Sequence, residues 1–115
     1  MSGSLQGSHA LDVATVDRVV TQRAPGAYAL GHRGTGRGFA IAFVGRAEGS
    51  LNVRLKQQAG ATAYTAFMFQ YCDTAQQAFE TECAVFHTFA PPDNKCHPVR
   101  PVSAEWKCPG CKIYG

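Results

Sequence analysis

The chain has 115 residues, of which 45% are hydrophobic and 17% are charged. This length suits one domain with a single modest core, and the composition excludes an intrinsically disordered chain. A net charge of +3 permits a polyanionic partner without indicating one. The sequence has neither an apolar run long enough to span a bilayer nor a secretory signal pattern, which predicts a cytoplasmic protein.

The first half of the chain predicts a helix followed by two strands. Residues 1–10, rich in Ser and Gly, predict a disordered N-terminal segment or a remnant of an expression vector. Residues 11–23 carry apolar residues at helical spacing and predict an amphipathic helix. Residues 28–30 and 39–44 predict strands, and the loop between them is too short for a parallel crossover. These two strands should therefore form an antiparallel hairpin.

The second half predicts a helix, a strand and a helix. Ser50 is placed to cap a helix over residues 51–58, residues 64–71 alternate as a strand, and Thr74 is placed to cap a helix over residues 74–89. The order predicts an α+β fold with a small three-stranded antiparallel sheet flanked by helices. A domain over residues 11–95 would be followed by a tail, residues 96–115, packed on the same domain.

One acidic residue of the last predicted helix lies on its apolar face. On a helical wheel Glu82 falls inside a stripe of apolar side chains. The stripe comprises Ala75, Ala78, Phe79, Val85, Phe86 and Phe89. A carboxylate in that position is costly unless it is compensated. Mg²⁺ or Mn²⁺ would compensate this charge, because these ions prefer hard oxygen ligands such as a carboxylate. An arginine or a backbone hydrogen bond would also compensate it.

Short motifs follow one another in a characteristic order along the chain. They are Gly26-Ala27-Tyr28, Phe43-Val44-Gly45, Arg54, Glu82 and Asn94. In this order and spacing, residues 25–95 resemble the GIY-YIG nuclease family. The resemblance implies a three-stranded antiparallel sheet with packed helices, hydrolysis of DNA phosphodiester bonds, and one Mg²⁺ or Mn²⁺ ion on Glu82. It does not indicate whether the DNA is single-stranded or duplex.

The resemblance also implies roles for individual residues. Tyr28 would position or deprotonate the attacking water, Arg54 would hold the scissile phosphate, and Asn94 would brace the catalytic loop. Phe43 stands where the family has the tyrosine of its second motif, and Gln58 stands where many members have histidine or tyrosine. Either the protein has fewer catalytic side chains than the family, or Tyr64 or a loop histidine replaces the groups that Phe43 and Gln58 lack. A zinc-stabilised nucleic-acid-binding module without cleavage is therefore the alternative.

Basic residues near these motifs are candidate phosphate contacts. Arg46 and Lys56 would neutralise backbone charge without reading sequence, although either could equally be an ordinary surface residue. Arg33 and Arg37 lie in a glycine-rich loop that lacks the following helix of a phosphate-binding loop. They could embrace a DNA strand, or the loop could be a plain hairpin connection.

The cysteines predict a second, structural metal site. Cys83 and His87 are spaced i, i+4 on the last helix, and Cys108 and Cys111 form a Cys-x-x-Cys pair. Four such ligands can close a tetrahedral Zn²⁺ site with no open position for water. Cys96 and His97 compete for one or two of these places, and unbound packed thiols are the alternative, which Cys72 fits best.

Overall fold

A computed structural model describes residues 5–33, 39–89, 91–94, 98 and 106 of the chain. Strands and helices within these ranges follow one another in an α+β order, which confirms the predicted class. They are β1 (Gln6–Ala10), α1 (Val13–Val19), β2 (Gly26–Arg33), β3 (Phe39–Ala47), α2 (Leu51–Ala61), β4 (Ala66–Tyr71) and α3 (Ala75–Phe89). None of the helices described is both long and apolar enough to cross a bilayer.

The described strands form one antiparallel sheet in the order β1-β4-β2-β3. The predicted hairpin is confirmed, since β2 pairs antiparallel with β3 and places Tyr28 opposite Gly45. On its other side β2 pairs with β4, where Tyr28 lies opposite Phe69. The first motif thus lies on an inner strand, where both neighbours fix its position.

The predicted strand count was wrong, because the sheet has four strands and not three. Residues 6–10, expected to be disordered, pair antiparallel with β4. Their sequence, Gln-Gly-Ser-His-Ala, lacks the β-branched and alternating apolar residues that predict strands. The pairing instead depends on the backbone groups that β4 offers at its edge, and the His9 ring lies 5.4 Å from the Phe67 ring.

The main core lies between one face of the sheet and the helices α1 and α2. Its fully buried side chains include Val16, Val20, Leu30, Leu51, Leu55 and Phe67. Ser50 caps α2 as predicted, because its side chain accepts from the Val53 amide. Asn52 joins the two helices by donating to the Val20 carbonyl at 2.9 Å. Helix α2, which carries Arg54, is therefore held firmly on the sheet.

Helix α3 packs against β2 and β3 on the opposite face. Thr74 caps it as predicted, accepting from the Gln77 amide at 3.1 Å. Its buried side chains are Ala78, Phe79, Glu82 and Cys83. Phe89, expected in the buried stripe, is 54% exposed. Burial thus extends through the third turn and brings Glu82, but not Phe89, to the sheet.

Candidate functional site

The glycines of the two motifs stand where neighbouring side chains leave no room for a Cβ. A Cβ on Gly45 would lie 2.5 Å from the Cζ and Oη atoms of Tyr28, so the phenol ring lies directly across this residue. A Cβ on Gly26 would lie 2.2 Å from the backbone carbonyl oxygen of Gln70 and 2.3 Å from the Cδ1 atom of Leu51. The motif pattern therefore has a packing reason: Gly45 makes space for the Tyr28 ring, and Gly26 makes space for the start of α2.

Tyr28 is buried, with 3% of its surface exposed. Burial raises the pKa of its phenol to about 12; the charge of Arg54 opposes this rise, the charge of Glu82 adds to it, and a hydrogen bond with Gln58 lowers the pKa. Tyr28 is therefore a neutral phenol at neutral pH. To accept a proton it would need additional positive charge.

Alkaline pH should destabilise the protein through Tyr28. The unfolded phenol ionises near pH 10 and the folded one near 12, so its stabilising contribution is present below about pH 10 and is lost as the pH rises through 12. We expect a loss of roughly 2–3 kcal/mol of unfolding free energy over this window. Urea unfolding from neutral pH upward should show that Tyr28→Phe removes this part of the alkaline loss. Parallel pH curves for the two proteins would contradict the assignment.

Arg54 lies on the exposed side of α2, one turn after the Ser50 cap. It lines a shallow depression of about 310 Å³ at the start of the helix. The other lining residues are Ala47, Glu48, Gly49, Ser50, Val53 and Gln57. We call this the Arg54 depression. Neither Tyr28 nor Glu82 is among the lining residues of this depression.

Glu82 is 7% exposed, and an arginine compensates its charge. Its Oε1 atom accepts from Arg46 Nη1 at 2.8 Å. The same guanidinium donates to Glu48 Oε2 from Nη2 at 2.8 Å and from Nε at 3.0 Å, and it lies 5.1 Å from the centre of the Phe79 ring. We call Glu82, Arg46 and Glu48 the carboxylate–arginine chain. It runs from the buried face of α3 to the Arg54 depression, which Glu48 lines.

Arg46 was expected to contact phosphate, and here it is bound to two carboxylates of its own chain. Burial lowers the pKa of Arg46, but the hydrogen bonds and charges of Glu82 and Glu48 outweigh burial and raise it. Arg46 therefore stays cationic at any physiological pH. Sequence analysis missed Glu48 altogether, although its position two residues after Arg46 was a usable signal.

Tyr28 and Glu82 approach β3 from opposite faces. The Tyr28 ring lies over Gly45, and successive residues of a strand point to opposite faces, so Arg46 and its partner Glu82 belong to the α3 face. The two groups still interact, because the charge of Glu82 raises the pKa of Tyr28. Strand β3 therefore lies between the two groups.

Asn94 anchors residues 91–94 to β3. Its Oδ1 accepts from the Val44 amide at 2.7 Å, and its Nδ2 donates to the Val44 carbonyl at 3.0 Å. The neighbouring Asp93 amide donates to the Ala42 carbonyl at 2.8 Å. Asn94 therefore holds this segment one residue from Gly45, a position that suits the bracing role expected of it.

Tyr64 was considered as a replacement for the hydroxyl that Phe43 lacks. Its own hydroxyl donates to the Asp93 carboxylate, and its ring stacks on Phe43 with centroids 6.5 Å apart. Burial raises the pKa of Tyr64 to about 12, and Asp93 adds to the rise. Of the loop histidines, His32 is exposed and its Nδ1 is 3.2 Å from Thr65 Oγ1. Tyr64 thus helps to fix the Asn94 segment.

Of the remaining predicted phosphate contacts, two belong to described elements and one lies outside the described residues. Lys56 pairs with Asp17 at 2.7 Å, an exposed pair that contributes little to stability. Arg33 is the last residue of β2. Arg37 lies outside the described residues.

Half of the predicted zinc ligands can be located. Cys83 is fully buried next to Phe79, with Trp106 of the tail packed against them, whereas His87 is exposed one turn later. Cys108 and Cys111, and their competitors Cys96 and His97, lie outside the described residues. Within the described part of the chain no three His, Cys, Asp or Glu side chains are grouped to hold a metal ion. Cys72 is buried as expected, with its Sγ 3.6 Å from Thr81 Oγ1.

Comparison with protein-family models, with curated proteins and with solved structures finds no match to this chain.

Proposed function

We propose that this protein is a GIY-YIG-type endonuclease that hydrolyses phosphodiester bonds in DNA. The proposal combines the motif resemblance with one structural observation. The charges of Arg54 and Glu82 both act on the Tyr28 phenol, which supports the proposal even though Glu82 lies on the other face of β3.

In this proposal the chain supplies positioning and charge. The exposed Arg54 guanidinium would bind the scissile phosphate in the Arg54 depression and offset the charge that develops as water attacks phosphorus. The Tyr28 phenol, held by Gln58, would orient that water, which requires the surface over Tyr28 to open when DNA binds, since this residue is buried and does not line the depression. Asn94 would keep the end of β3 in place beneath both groups.

In this proposal Glu82 would hold the divalent cation, although no three His, Cys, Asp or Glu side chains of the described residues are grouped to do so. Mg²⁺ accepts a site with a single carboxylate because it keeps several waters and takes further oxygens from the substrate phosphate. Such an ion would polarise the phosphate and lower the pKa of a bound water. Glu82 Oε1 accepts from Arg46, so this hydrogen bond has to yield before that oxygen becomes a ligand.

A zinc-stabilised nucleic-acid-binding module without cleavage is the second candidate. Three observations favour it: Tyr28 is only 3% exposed, Glu82 is bonded to Arg46, and Phe43 lacks the second-motif hydroxyl. In both candidates Cys83 and His87 on α3 would bind zinc together with Cys108 and Cys111 of the tail. That zinc would be structural.

A cleavage assay separates the two candidates. Labelled single-stranded and duplex DNA should be cut by the purified protein in Mg²⁺ or Mn²⁺, and a chelator should abolish cutting. The same samples should be run on native gels to measure binding. DNA that is bound but left intact in both cations would reject the nuclease and support the binding module.

A further inference from the structure

We propose that Arg46 competes with the divalent cation for Glu82, and that Glu48 is the place to which Arg46 withdraws when the cation binds. This inference rests on the proposed function and concerns the regulation of that same site. In this inference Arg46 weakens cation binding and Glu48 strengthens it. The motif resemblance gives neither residue a role.

The geometry makes competition unavoidable at one atom. Arg46 Nη1 lies 2.8 Å from Glu82 Oε1, and the Glu82 side chain is only 9% exposed. A guanidinium and a divalent cation on the same buried oxygen would repel each other strongly at a separation of a few ångströms. Binding a cation through this oxygen therefore requires Arg46 to move.

Arg46 already has a second partner that can hold it during such a movement. Two of its donors, Nε and Nη2, bond to Glu48, whereas Nη1 alone is described on Glu82. The Glu48 side chain is 44% exposed and lines the Arg54 depression. A rotation about the Glu48 contacts would free Glu82 and keep the guanidinium paired. It would also bring a second positive charge toward Arg54, where the phosphate is proposed to bind.

Two substitutions should shift cation affinity in opposite directions. Arg46→Gln removes the competitor, and Mn²⁺ should then bind about tenfold more tightly. Glu48→Gln weakens the alternative partner, so Arg46 stays on Glu82 and Mn²⁺ should bind about two- to fivefold more weakly. The measurement is Mn²⁺ binding to the full chain without DNA, by calorimetry and by electron paramagnetic resonance. Subtracting the same titration of Glu82→Gln isolates binding at Glu82.

Removal of a nearby charge shifts cation affinity by itself, so Glu80→Gln on the same helix supplies the purely coulombic effect, which the shift of Glu48→Gln should clearly exceed. Unfolding curves in the absence of metal verify that each variant is folded; Glu48→Gln alters an exposed side chain and so keeps the test available if Arg46→Gln does not fold. Unchanged affinities, or a shift of both variants in one direction, would overturn the inference. If wild-type cleavage still needed Mn²⁺ and Glu82 in that case, the proposed function would stand. Mn²⁺ binding independent of Glu82 in every variant would overturn both.

Discussion

Replacing Glu82 with glutamine should reduce DNA cleavage by roughly 10²–10³-fold, because it removes the anionic ligand proposed for the catalytic cation. Glutamine keeps the shape of the side chain and an oxygen that can accept from Arg46. The fold should therefore survive with a modest loss of stability. Initial rates on labelled DNA in saturating Mn²⁺, together with unfolding curves, measure the two effects separately.

Glu80 provides a matched control on the same helix. It accepts from Gln76 at 3.1 Å, and no contact with Arg46 or Tyr28 is described for it. Glu80→Gln makes the same chemical change two residues away and should leave cleavage within about twofold of wild type, as expected for a surface substitution. Equal losses in the two variants would mean that net charge, and not a ligand at Glu82, governs the rate.

Replacing Gly45 with alanine should destabilise the fold by about 3 kcal/mol or more, at the upper end of the cost of overpacking. The added Cβ would lie 2.5 Å from the Tyr28 ring, and that ring is 3% exposed and enclosed by core residues. Either the ring or β3 has to shift. Because the ring carries the proposed water-orienting hydroxyl, cleavage should fall as well, even at temperatures where the variant is folded.

Gly60 is the control for this substitution. It lies in α2 with nothing within 4 Å of a Cβ built on it. Gly60→Ala should stabilise the protein by roughly 0.5–1 kcal/mol, since alanine restricts the unfolded chain and favours the helix. Chemical denaturation of the two variants should thus give shifts of opposite sign. A neutral Gly45→Ala would show that the Tyr28 ring does not need to lie across this residue.

Local patterns made most of the sheet predictable. Alternation in residues 39–44 and 64–71 identified β3 and β4, and a short loop dictated the hairpin. Strand β1 could not be predicted, because its extended conformation depends on pairing with β4 and not on its own side chains. A sequence can indicate which segments favour extended structure. It cannot show that a segment of low strand propensity will pair with a particular edge of the sheet.

The candidate site was predictable in its members and not in their connections. The helical wheel placed Glu82 on a buried face, and the structure confirms this burial. The positive group that compensates Glu82 is the Arg46 guanidinium. This pairing depends on how α3 packs against the end of β3, which the sequence alone does not show. Arg46 was therefore expected to contact phosphate or to be an ordinary surface residue, and its pairing with Glu82 was not predicted.

The way Asn94 binds Val44 has a consequence for the behaviour of the protein in concentrated solution. The carboxamide satisfies both backbone groups that Val44 would otherwise present at the outer border of the sheet. Exposed borders of this kind template intermolecular strand addition and aggregation. The Asn94 side chain thus occupies the position that a strand of a second molecule would need at Val44, and Asn94→Ala should make the protein aggregate more readily at high concentration.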